Sequence, residues 1–209
     1  MITDAQGHTL TGATAEAAHH YEQAVTAFNL YRGDPMAALE RATAAAPGFA
    51  MAHLLKAHLL AIATEPAAAA GARELLQATA GLPMNDRERS HRAAIGLILR
   101  GEWSAAAIAL DHHHTRHPFD IVALQVGHLC DFFRANARSL RDRLARTLPH
   151  WSADMPGHSI LLGMYAFGLE EAGQYTQAEE VGRSALDAQP LDCWAHHAVV
   201  HVMEMQARH

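Results

Sequence analysis

Lysine is nearly absent from this chain. Lys56 is the only one in 209 residues, and the other basic side chains are arginines and histidines. With a formal net charge of −6 and no basic stripe, the sequence lacks the electrostatic footprint of a nucleic-acid surface. Cysteine is scarce as well: Cys130 and Cys193 form neither a CxxC pair nor a disulfide framework, which points to a reducing, cytoplasmic setting. No apolar run approaches the roughly 20 residues needed to cross a bilayer, so no membrane partner is expected. The polar opening MITDAQGHTL has no apolar signal segment. Alternating Val/Ile/Thr-rich runs, the mark of strands, are also missing.

Alanine is abundant instead, with 44 residues. It is the best helix former and lets helices approach closely, so the fold class expected is all-α. Prolines at 47, 83, 118, 149 and 190 recur at intervals of 36, 35, 31 and 41 residues. A helix–turn–helix unit of about 34 residues with proline near its end is the tetratricopeptide pattern. The clearest unit is 159–192, SILLGMYAFGLEEAGQYTQAEEVGRSALDAQPLD. With Pro190 at its position 32, small residues fall at Ala166, Ala178 and Ala185, and Gly173 marks the turn between helices. A second unit, 87–120, repeats the arrangement with Ala94, Gly101, Trp103, Ala106 and Pro118. The expectation is a tetratricopeptide-like α-solenoid of antiparallel helix pairs. It would fill 14–209 as approximate repeats 14–49, 50–85, 86–120, 121–151 and 156–190, a partial repeat 192–209, and an N-terminal segment 1–13. Asp34, Asp86, Asp120 and Asp192 sit where helix N-caps are expected, with Pro35 at the first helical position.

The histidines number 17 and scatter along the chain. In the last segment, CWAHHAVVHVMEMQARH, His197, His201 and Glu204 share one helical stripe, within about 60° of each other at 100° per residue. They fall at positions 5, 9 and 12 of the partial repeat, on the face that lines the concave groove in stacked helix pairs, with Trp194 at position 2. Two histidines four apart can chelate one divalent transition metal, and a carboxylate one turn on can complete the ligand set. Glu204 could equally act as a general base. The plain alternative is a set of polar groove or hydrogen-bonded core histidines. His53, His91 and His128, on other first helices, are further groove candidates. The run DHHHTRHP, 111–118, looks more metal-like but reads as a solvated helix end, which the helix dipole favours. Arg134–Arg146 likewise reads as a solvated face.

Several stretches carry a resemblance to the tetratricopeptide repeat protein 38 family: 44–57, 86–103, 117–133, 148–180 and 190–206. The last is the most specific, since members carry His-x-x-x-His-x-x-Glu-Met there, matching His197, His201, Glu204 and Met205. The resemblance implies helical repeats and shared histidines at His53, His91 and His128, but supplies no activity. Because members continue further, it also implies a fragment of a longer array, or an end capped by a second copy as a homodimer through 192–209.

Two functional expectations follow. One is a scaffold whose groove takes a protein, a peptide or a small ligand. The other is a metal-binding protein or metal-dependent, hydrolase-like enzyme centred on His197, His201 and Glu204.

Overall fold

The computed structural model describes residues 1–208. Among these it has eleven α-helices, one 3-10 turn (Leu148–His150) and no strand beyond a lone bridge between Thr3 and Thr9. The helices are α1 (Ala15–Leu30), α2 (Pro35–Ala45), α3 (Ala50–Ile62), α4 (Pro66–Ala78), α5 (Asp86–Leu99) and α6 (Trp103–His114). They continue with α7 (Ile121–Phe133), α8 (Ala137–Thr147), α9 (His158–Glu171), α10 (Tyr175–Ala188) and α11 (Cys193–Met205). No helix among the described residues is long and apolar enough to cross a membrane.

Local chemistry sets the helix ends. The Asp34 carboxylate accepts from the Ala37 N–H ahead of Pro35, and the Asp192 carboxylate accepts from the Ala195 N–H. At α5 the cap is Asn85, not Asp86 as the sequence suggested. Asn85 accepts from the Glu88 N–H while Glu88 accepts from the Asn85 N–H, a reciprocal capping box that Asp86 has no partner to form. Both α5 and α9 end on a left-handed glycine, Gly101 (φ 78°) and Gly173 (φ 76°), and the N–H after each folds back onto Leu97 and Leu169.

Two compact units result. The first comprises Met1–Phe28 and Arg32–Gly127; the second comprises Asn29–Tyr31 and the chain from His128 onward. In the first, α3 packs on α2, α4 and α5, and α5 packs on α6. Its core holds Leu39, Phe49, Met51, Leu54, Leu55, Ile95 and Leu110, all but inaccessible to solvent. Here the N-terminal segment is fixed to the start of α5: Glu88 accepts from the Thr11 N–H, and the Asn85 amide donates to the Thr9 carbonyl. In the second unit α9 packs on α8, α10 and α11. Ala166, Ala178 and Ala185, the small residues picked out by spacing, are completely buried there.

Candidate functional site

In the second unit, Asp192 starts α11 so that His197 and His201 leave the helix one turn apart on the same side. Their Nε2 atoms lie 3.0 Å from each other, with the rings nearly perpendicular. His201 is exposed and His197 half-buried. Behind them runs a line of aromatic rings. His197 stacks parallel to Trp194 at 6.3 Å and tilts against Phe167 at 5.0 Å. Trp194 in turn meets Phe167 at 4.7 Å and His128 at 4.8 Å. Four of the residues singled out from sequence, His128, Trp194, His197 and His201, are thus brought together within one unit.

They differ in character. His128 is completely buried, and neither ring nitrogen has a hydrogen-bond partner. Burial, and then the charge of Arg143, pushes its pKa down to about 3, so it packs as a neutral ring. Burial and then His201 also lower the pKa of His197. The carboxylate behind His201 comes from α9: Glu170 Oε2 lies 3.6 Å from His201 Nδ1. Burial raises the Glu170 pKa, against the pull of His201. Glu170, Glu171 and His201 have donor atoms within 4.8 Å of one another. Glu204 is exposed and belongs to no such group among the described residues.

The remaining candidates, His53 and His91, lie in the first unit and do not meet. His53 Nε2 is 2.8 Å from the Pro47 carbonyl, which ties the first turn of α3 to the preceding loop. His91 is completely buried at the centre of a second constellation built on Asp120. One Asp120 oxygen accepts from the Ala123 N–H and caps α7. The other lies 2.8 Å from His91 Nε2, 3.0 Å from His113 Nε2 and 2.5 Å from Arg87 Nε. His58 Nε2 stands 3.0 Å from His91 Nδ1. Arg87 also reaches Asp4, at 3.1 Å. Burial alone would raise the Asp120 pKa, but Arg87, His91 and His113 hold it well below the usual carboxylate range. Burial lowers the pKa values of His58 and His91 despite that carboxylate.

Two expectations are corrected here. The DHHHTRHP run is not a solvated helix end: His113 and His114 are buried, and only His112 of the three consecutive histidines faces solvent. Three successive helical residues sweep about 200°, so a packed helix must turn part of such a run inward. The arginine-rich α8 is not wholly solvated either, because Arg143 is buried with Nε and a terminal nitrogen 2.9 and 2.8 Å from Asp131 Oδ2. The sequence did hold a signal for the buried constellation. His58 and His91, and likewise Arg87 and Asp120, are 33 residues apart, close to the spacing of the proline ladder, and each pair is in contact.

Beside this constellation opens a cleft of about 320 Å³ lined by His8, Thr9, Asn85, Asp86, Arg87 and His117. His117 stands 4.8 Å from His113, ring centre to ring centre, and burial followed by His113 lowers its pKa to about 4.

No protein-family model matches the chain, and no solved structure matches it. The functional reading therefore starts from the geometry of the two units.

Proposed function

We propose that the chain is a tetratricopeptide-like helical-repeat protein that works as a binding scaffold, and that its ligand sits on the α9–α11 face centred on His197 and His201. The antiparallel-repeat reading is supported by the starts of α3, α5, α7, α9 and α11, which recur every 35 to 37 residues. Side-chain contacts at a separation of 33 support it further; Arg141 to Gln174 is a third such pair.

The observation that carries the choice of face is the convergence of the two Nε2 atoms at 3.0 Å on an accessible surface. A rigid aromatic floor lies beneath them. A ligand that parts this Nε2–Nε2 hydrogen bond gains a donor and an acceptor already positioned over the ring faces, which suits a peptide side chain or a small polar ligand. Val200 and Met205 on α11 are more than half exposed and extend the contact area beside them.

A second reading takes the same face as a metal centre, binding a divalent transition metal or using one for hydrolysis. Cis ligands around an ion with bonds of about 2.0–2.1 Å stand close to 3 Å apart, as these nitrogens do. Glu170 behind His201 Nδ1 is then the carboxylate that orients a ligating imidazole. The carboxylates in reach are Glu170 and Glu171, with Glu204 further along the stripe.

Selection of displayed peptides on the chain, followed by calorimetry on His197→Ala and His201→Ala, separates the readings. The scaffold predicts a recurring peptide motif whose affinity falls at least about tenfold in both variants. Selected peptides indifferent to both substitutions contradict it. Loss of one equivalent of bound Zn²⁺ or Ni²⁺ in both variants favours the metal reading.

A further inference from the structure

The constellation in the first unit is independent of the α11 face, and its donors come from three separate segments. His91 lies on α5, His113 in the last turn of α6, and Asp120 at the cap of α7. We propose that His91 Nε2, His113 Nε2 and Asp120 Oδ2 hold a divalent first-row metal ion inside this unit.

Four observations carry the assignment. The three donor atoms lie within 4.8 Å of one another, and each is completely buried. The two nitrogens stand 2.8 and 3.0 Å from the shared oxygen, close to the roughly 3 Å that separates neighbouring ligands at bonds of about 2.0–2.2 Å. An ion there takes the place of the imidazole protons now facing Asp120 Oδ2, on an oxygen that Arg87 Nε also reaches at 2.5 Å.

Outer partners are in place for His91 and Asp120, whereas His113 Nδ1 has no hydrogen-bond partner. His58 Nε2 stands on the far nitrogen of His91, and the Ala123 N–H fixes the second oxygen of Asp120. Ligating imidazoles and carboxylates are oriented by such partners. With an ion on Nε2, His91 turns its Nδ1 proton toward His58.

Charge is the third point. Asp4 and Asp120 are both buried and share one permanent cation, Arg87. A buried charge left over is costly. These three groups leave a net −1 that a divalent ion turns to +1, so one anionic ligand such as hydroxide completes the balance while Arg87 stays bound to Asp120.

Fourth, the adjoining cleft shares Arg87 with the constellation and carries His117 beside His113. Arg87 and His117 are the two side chains between this cleft and the donors, so an ion or a water ligand enters past them. Two imidazoles and one carboxylate suit zinc, iron or manganese.

The test uses the full chain carrying His197→Ala and His201→Ala, which removes the exposed pair and keeps this result separate from the fate of the α11 face. The protein is loaded with Zn²⁺, Mn²⁺ or, anaerobically, Fe²⁺, washed briefly with a chelator, and analysed for metal. One equivalent is expected to remain for at least one ion, with a raised melting temperature. Co²⁺ loading should give visible bands of a low-coordinate site. Asp120→Asn keeps the α7 cap but loses the anionic ligand, and His113→Asn removes one imidazole. Each should lower retention at least about tenfold. Should either variant fail to fold, metal content and the Co²⁺ spectrum of the parent chain still decide the question. A folded parent retaining less than about a tenth of an equivalent of every ion, with no thermal shift, makes the constellation a hydrogen-bonded network only and overturns the proposal. So does retention unchanged in both ligand variants when they fold.

Discussion

Asp192 caps α11 through one carboxylate oxygen, 3.1 Å from the Ala195 N–H, yet the whole side chain is buried against α9 beside Gly163. Burial raises its pKa to about 6, the helix N-terminus pulling the other way. Between about pH 4 and pH 6 the folded chain holds a proton that the unfolded chain has released. The contribution therefore favours folding at low pH, fades as pH rises through that window, and levels off above it. Asp192→Asn keeps an oxygen for the cap and cannot titrate. Urea unfolding of both proteins across pH 4–7 should show Asn gaining roughly 3 kcal/mol relative to Asp over that rise. A difference that stays flat would mean that Asp192 ionises normally. Single residues of this kind divide sharply in how readable they were. Asp34 and Asp192 declared themselves as caps because proline or an apolar helix follows directly. His113 and Arg143 did not, since a run of histidines or arginines looks solvated until the packed side of its helix is known.

The spacing between elements depends on side chains that are missing. Gly168 lies inside α9 where α8 crosses, and a Cβ there would come within 2.6 Å of the Arg141 backbone nitrogen and 2.7 Å of the Leu140 carbonyl carbon. Backbone cannot step aside as a flexible side chain can, so Gly168→Ala should destabilise the chain by about 1–3 kcal/mol. Gly96, inside α5, is a control with the opposite sign. Its added Cβ would meet only the end of the Arg100 side chain at 3.5 Å, so the helix propensity of alanine should make Gly96→Ala neutral or stabilising by up to about 1 kcal/mol. Denaturant midpoints of the two variants check the contrast, and equal effects would contradict the close α8–α9 crossing. At this scale the sequence was informative, because proline, glycine and alanine mark where helices must start, stop and touch. His197, His201 and Glu204 do lie on one helix, α11, but from that helix alone the sequence could not show that Glu170 and Glu171 of α9 stand near His201.

At the scale of the molecule, contacts between residues 33 apart recur in the interior, His58 with His91 and Arg87 with Asp120. The proline ladder suggested a spacing of similar size. The constellation stayed hidden because period alone does not say which residues of successive helices face each other. The two units carry different chemistry: an accessible histidine pair on an aromatic floor in the second, and an enclosed histidine–aspartate–arginine centre in the first. The central claim is that ligand binding belongs to the α9–α11 face. Hydrogen–deuterium exchange of the chain, with and without a selected peptide, tests this most directly. The account predicts added protection confined to 158–171 and 193–205, lost in the His197→Ala and His201→Ala protein. Protection elsewhere with those segments unchanged would contradict it.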